Sequence, residues 1–307
     1  MSLPWDEPGW LDRATDWIDE RVERTGEVEL ERRRPWSALA RVPTADGVLW
    51  FKENPRANAF EPVLTGLLAA RRADAVPEVV AAEGLRMLTR HIGPPLREVL
   101  DSGETEPGWE EVLALYAELQ LDFMPLVGDA LAAGTPDERP PQLPELYEEL
   151  VGRDGLYSAV AEAAAALGDA VPATVVHQEA HDANVFVRGG RPVFLDWAEA
   201  SVSHPFTGPL LALRSATERA GYEPGSREVE RLRDVYLEPF TRFATMPELR
   251  EAFRHAYLLA PIGRARVWHR ILNPLGPEFA EGYGDSVAAW LEIQRGIADG
   301  SIALGGA

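Results

Sequence analysis

Two short stretches of this 307-residue chain carry side chains that could do chemistry together. One reads His177-Gln178-Glu179-Ala180-His181-Asp182-Ala183-Asn184, and twelve residues after Asn184 comes Asp196, followed by Trp197. Asn184 opens one strand-like run and Asp196 closes another. The Arg188-Gly189-Gly190-Arg191 turn between them brings an amide oxygen and a carboxylate to one place. That donor pair suits magnesium, which prefers oxygen and takes only one or two carboxylates from a protein. The third component is Lys52. Twenty-nine of the 30 basic residues are arginine and Lys52 is the only lysine. A compact ammonium is harder to replace by a broad guanidinium where a point charge must meet phosphate in a tight space. A metal, a positioning group for an acceptor hydroxyl and a cation on the phosphates are what phosphoryl transfer requires. A second reading takes His177-x-Glu179-x-His181 as a transition-metal site on one face of a strand; it lacks the H-E-x-x-H order and gives Lys52 and Asp196 no task.

The elements that must position these groups change character along the chain. Asp6 to Arg24 has the apolar spacing of an amphipathic helix. Strand-like runs follow at Val28 to Arg32, Ser37 to Val42 and, after an Asp46-Gly47 hairpin signal, Val48 to Lys52. Asn58 to Arg72 is expected to be a helix capped by Asn58, and Pro77 to Ala82 and Leu85 to Arg90 two more strands. Gly93-Pro94-Pro95 breaks this pattern, and helices are expected at Trp109–Phe123, Leu143–Val151 and Tyr157–Leu167, with a loop from Gly128 to Leu143. Strands return from Thr174 to Trp197 around the polar loop, and helices resume from Pro209. An α+β fold of two lobes is expected: a small antiparallel-sheet lobe over residues 1–93, and a larger helical lobe over 94–307 that holds the polar loop and the acceptor site.

The stretch from His177 to Asn184, with Asp196-Trp197-Ala198-Glu199-Ala200 and Ser203-His204-Pro205 beyond it, resembles the catalytic segment of the aminoglycoside phosphotransferase and choline kinase group, a branch of the protein-kinase-like folds. The usual form there is H-G-D-x-H-x-x-N followed by a strand-borne D-W. The resemblance covers about the first two-thirds of the chain. It implies a bilobal protein-kinase-like fold and an enzyme, a small-molecule kinase that uses ATP and Mg2+ to phosphorylate an alcohol group. It implies Glu179 and His177 as the catalytic pair, His177 also having a structural reading as a bond to loop backbone. Lys52 is expected on the nucleotide phosphates, held by Glu61; Asn184 and Asp196 are expected on the metal. Ser37, Thr89 and His91 complete the nucleotide site, with hinge backbone from Leu88 to His91 around the adenine.

The chain departs from the pattern in places. Glu179 replaces the usual aspartate and Gln178 the glycine before it, and the Arg33-Arg34-Pro35-Trp36-Ser37 segment between the first two strands has no glycine to let backbone approach phosphate. A longer acid shifts the carboxylate by roughly one C–C bond, ~1.5 Å, so a catalytically weak or silent nucleotide-binding protein is the alternative reading. The formal net charge of −20 opposes nucleic acid and anionic membranes and weakly favours a cationic small acceptor; together with the resemblance it implies an aminoglycoside, aminosugar or amino alcohol. Asp182, Glu199, Trp268 and His269 are candidates to line its pocket. With no cysteine and no run of about 18 apolar residues, disulfides and membrane spans are excluded and a cytoplasmic protein is expected.

Overall fold

A computed structural model describes residues 3–275 and 283–306. Helix α1 (Trp10–Asp19) precedes strands β1 (Glu29–Arg34), β2 (Ser37–Thr44) and β3 (Gly47–Glu53). Helix α2 (Glu61–Arg71) leads to β4 (Val79–Glu83) and β5 (Arg86–Arg90). The five strands form one antiparallel sheet in the order β1-β2-β3-β5-β4. Period-two alternation sends Ala38, Ala40, Val42, Leu49, Phe51 and Leu88 to one face, where they pack with Trp10, Ala14, Trp17 and Ile18 of α1. The other face carries Ser37, Leu39, Trp50, Lys52, Met87 and Thr89 toward the cleft.

Helix α1 is shorter than its periodicity suggests. Gly9 in the left-handed region starts it, and Arg24 already bridges Thr44 as extended chain. Asn58 does not cap α2: it belongs to a tight turn, Arg56–Asn58, and Phe60 occupies the capping position. The reason is tertiary: Asn58 is fully buried and its side chain faces Arg270 rather than the helix end.

The second lobe contains α3 (Leu96–Asp101), α4 (Trp109–Phe123), α5 (Val127–Ala132), α6 (Leu143–Val151) and α7 (Tyr157–Leu167). Helix α5 falls in the stretch expected to be loop; Ala130 is buried and Val127 and Leu131 pack on the main core, which outweighs the Gly and Ala composition. Three short strands and their partner follow: β6 (Thr174–Val176), β7 (Val185–Arg188), β8 (Arg191–Phe194) and β9 (Ser201–Ser203). Strands β7 and β8 form the hairpin expected around Gly189-Gly190, whereas the pairing of β6 with β9 has no local signal in the sequence. The C-terminal part is α8 (Leu210–Ala220), α9 (Arg227–Leu237), α10 (Met246–Leu272) and α11 (Ser286–Asp299).

Helix α10 has 27 residues, about 40 Å at the standard rise. A capping box starts it: the Glu248 carboxylate accepts from the Thr245 N–H at 2.8 Å. Its middle is buried in the second lobe, and Leu275, just past its end, lies in the core of the first. Between the end of β5 and the start of α3 the chain passes through Gly93-Pro94-Pro95. Gly93 has φ 146°, and a Cβ there would lie 2.3 Å from the Val187 carbonyl oxygen, so only glycine fits. The chain then continues beside β7, with the Val187 N–H donating to Pro94 O at 2.9 Å. No helix among the described residues is long and apolar enough to cross a membrane.

Candidate active site

Between the lobes lies a cavity of about 730 Å³, and Lys52, Glu61, Asn184 and Asp196 all line it. Lys52 sits near the end of β3, where its register opposite Leu39 and Met87 fixes which face it takes. Its ammonium meets Glu61, the first residue of α2, at 2.8 Å, and Asp196 at 2.7 Å. Lys52 is nearly buried, and burial alone would drive off its proton. The two carboxylates overcome that and hold the ammonium charged well above the usual lysine range. Burial likewise opposes ionisation of Asp196, and the Lys52 charge reverses the balance, so Asp196 stays anionic below its ordinary range.

Asp196 is held by an unusual backbone. Its φ of 62° makes it the one non-glycine residue with positive φ among the described residues. Such strain persists only where neighbours over-determine it. Here the Leu195 carbonyl accepts from His177 Nε2 at 2.7 Å, and the Phe194 carbonyl from Trp197 Nε1 at 3.0 Å. His177 Nδ1 in turn accepts from the Glu179 N–H at 3.1 Å, which fixes the tautomer as neutral with hydrogen on Nε2. Both ring nitrogens thus serve backbone. Burial depresses the imidazole pKa to about 4, so it carries no charge near neutrality. Tyr116 of α4 anchors the same segment, its hydroxyl donating to His177 O at 2.9 Å and accepting from His177 N at 3.0 Å.

Glu179 is engaged on both carboxylate oxygens. One accepts from Arg264 Nη2 at 2.9 Å, the other from Asn184 Nδ2 at 3.1 Å. Arg264 comes from the middle of α10, is buried, and binds Glu199 with its other terminal nitrogen. Burial raises the Glu199 pKa to about 7; Arg264 pulls it down and the nearby Glu179 charge pushes it up further. No pattern in the sequence pointed to Arg264, which is 85 residues from Glu179 and among 29 arginines. Gln178, in the position usually given to glycine, finds room because α10 presents Gly263 there; it donates to Ser201 Oγ at 2.9 Å.

The remaining expectations divide. Ser37 is buried at the start of β2, and Ser37, Thr89 and His91 all border the cavity, His91 Nδ1 accepting from Trp50 Nε1 at 3.0 Å. Of the hinge residues, Leu88 points into the opposite core, and the Arg90 and His91 N–H groups already donate to Glu78 and Val48. Asp182 is not open to an acceptor. It is buried between Arg97 at 3.0 Å and Arg219 at 2.6 Å. Glu199 is likewise occupied by Arg264. Trp268 packs in a three-ring cluster with Trp36 of the β1–β2 turn and Tyr283, at ring separations of 5.6 and 5.8 Å. The transition-metal reading has no support: among the described residues no group of three or more His, Asp or Glu could hold a metal ion.

The fold is shared with solved phosphotransferases. A macrolide 2'-phosphotransferase from Brachybacterium faecium is 17% identical, with a TM-score of 0.58 over 92% of this chain and 98% of its own. An aminoglycoside phosphotransferase solved with GDP and kanamycin is 12% identical, with a TM-score of 0.60 over 94% of this chain and 99% of its own. An ethanolamine kinase from Plasmodium vivax is 12% identical, with a TM-score of 0.58 over 93% and 96%. At these identities the likeness establishes the protein-kinase-like fold. No curated protein matches the sequence. The family model for the phosphotransferase enzyme family, however, matches residues 29–271, from β1 almost to the end of α10. The chain therefore belongs to the phosphotransferase enzyme family and is a small-molecule kinase.

Proposed function

We propose that the protein transfers the γ-phosphoryl group of ATP, with Mg2+, to a hydroxyl of a small molecule in the cytoplasm. The observation that carries this is the convergence of Lys52, Glu61 and Asp196, from two lobes, on one cavity that Asn184 also borders. Lys52 binds the phosphates and Glu61 holds it. Asn184 and Asp196 fit a magnesium ion: the Asn184 amide nitrogen is turned to Glu179, leaving its oxygen for a cation, and Asp196 has a second carboxylate oxygen beyond the one on Lys52. The ion, when bound, neutralises charge on the triphosphate. Glu179 accepts the proton of the acceptor hydroxyl as its oxygen bonds to the γ-phosphorus and the bond to the β–γ bridging oxygen breaks, releasing ADP. His177 is a positioning residue for Glu179 and Asp196.

The acceptor is a small hydroxylated molecule. The similar structures carry names of macrolide, aminoglycoside and ethanolamine enzymes, so the class is broad. A cationic acceptor keeps the support of the net charge of −20, but Asp182 and Glu199 already have arginine partners and are not its counterions. A second reading, weak transfer or none, is favoured by the Arg264 grip on Glu179, since Arg264 and Asn184 already occupy both of its carboxylate oxygens. Turnover of ATP and of GTP with amines, aminosugars, neutral sugars and macrolides separates these. We expect acceptor-dependent ADP release that Asp196→Ala abolishes. Nucleotide binding with no acceptor-dependent turnover would leave the silent reading.

A further inference from the structure

The turn between β1 and β2 is Pro35-Trp36. Proline has no N–H, and no glycine is present, so this turn offers phosphate no nest of backbone donors. The cleft must supply counter-charge from side chains, and Lys52 is already matched by two carboxylates.

A β-bulge supplies another cation. Strands β1 and β2 pair in step at Glu29–Arg41 and Leu30–Ala40, then slip by one residue so that Arg32 faces Leu39. In an unslipped ladder Glu31 would stand there, and an anion would lead the row. A bulge re-aims side chains in this way and often lies near a site. Leu39 pairs with Lys52, and Lys52 with Met87. Arg32, Leu39, Lys52 and Met87 therefore form one row across four strands on one face, and all four line the cavity. Two strand spacings separate Arg32 from Lys52, roughly 10 Å between backbones, within reach of a long side chain. Glu31 also borders the cavity, as expected when a bulge turns two neighbours to one side.

Arg32 differs from the other bases of the cleft: its guanidinium has no hydrogen bond or ion pair among the described residues. Lys52 holds Glu61 and Asp196, Arg97 holds Asp182, and His91 accepts from Trp50.

We propose that Arg32 is a phosphate-binding residue, its guanidinium contacting the nucleotide triphosphate in place of a glycine-rich loop. This rests on the nucleotide reading above. A charge-assisted contact of this kind is about tenfold in affinity. The test is titration of the full-length protein with Mg-ATP, Mg-ADP and adenosine, followed by calorimetry. Arg32→Ala should weaken Mg-ATP about tenfold and Mg-ADP no more than that, leaving adenosine unchanged, and Arg32→Glu should weaken Mg-ATP further. Arg33→Ala, the same charge change on the opposite face of the strand where Arg33 donates to Trp5 O, should leave Mg-ATP binding unchanged. Equal Mg-ATP affinity in wild type and Arg32→Ala overturns the inference alone. So does an equal loss for adenosine, or an equal loss in Arg33→Ala, which would make the effect long-range. Wild-type protein that binds none of the three overturns the nucleotide reading as well.

Discussion

At the scale of single residues, the buried arginine of α10 ties two acids together, and its removal leaves Glu199 uncompensated. Breaking such a pair on one side costs about 3–5 kcal/mol, so Arg264→Ala is expected to lower the unfolding free energy by that order, read as a lower urea midpoint. Glu199 also gives a pH signature. Its native pKa, about 7, is raised above the ordinary 4.5, so the folded state binds the proton more tightly. Stability from this group is present at low pH and is lost as pH rises through 7, by on the order of 3 kcal/mol. His177 acts in the opposite sense. Its pKa, depressed to about 4, makes stability fall as pH drops from about 6.5. The two slopes oppose each other between pH 4.5 and 6.5. Thermal melts of wild type and Glu199→Gln should therefore differ in slope, with the wild type alone losing stability between pH 6.5 and 7.5. Parallel melts would remove the case for a protonated Glu199. For catalysis, a neutral His177 with both nitrogens engaged predicts a kcat–pH profile without a histidine limb near 6.5. His177→Asn should lower kcat without changing the profile's shape; loss of a limb near 6.5 in the variant would make His177 a proton carrier instead.

At the scale of elements, the hinge and its neighbouring hairpin depend on close approach. In Gly93→Ala a methyl would need the space of the Val187 carbonyl, in a backbone conformation that L residues avoid. The expected loss is at least 2 kcal/mol, read as a lower midpoint in urea, while Gly190→Ala, where the added carbon meets nothing within 4 Å, is limited to the backbone strain of its φ of 79°. A midpoint unchanged in Gly93→Ala would mean that the hinge can move away from β7. The β1–β2 turn is the other such element. Trp36 packs edge-on against Trp268 and Tyr283 at 5.6 and 5.2 Å, joining the sheet lobe to α10. Trp36→Ala should speed hydrogen exchange in both β1 and the end of α10, whereas an effect confined to β1 would show that the contact does not couple them.

At the scale of the whole molecule, α10 runs the depth of one lobe and places Leu275 in the core of the other. The lobes share that strut, the ion pair from Lys52 to Asp196, and the cleft between them. Saturating Mg-ATP, at 100 times its Kd, should stabilise the fold by about 2.7 kcal/mol, a rise in Tm of several degrees. Lys52→Ala should abolish most of that shift, since it removes the proposed phosphate contact and leaves Glu61 and Asp196 facing each other across the cleft. A full shift in the variant would take Lys52 out of the nucleotide site.

Much of this was written in the chain order. Alternation over β2 and β3, the Asp46-Gly47 turn, the period of α4, α6 and α7, and the Gly-Gly hairpin are local signals, and local sterics and hydrophobic periodicity suffice to set them. The order of the polar motif around Asn184 and Asp196, with one lysine upstream, was enough to name the family. What the chain order could not hold is pairing across distance. The bond between Arg264 and Glu179, the burial of Asp182 and Glu199 by arginines, the packing of Trp268 on Trp36, and the register slip that turns Arg32 into the cleft all bring together residues whose partners are chosen by how lobes and helices stack. An arginine in sequence is one of 29 alike; only burial and the neighbours that compete for its hydrogen bonds decide whether it holds an acid, covers a core or faces the ligand.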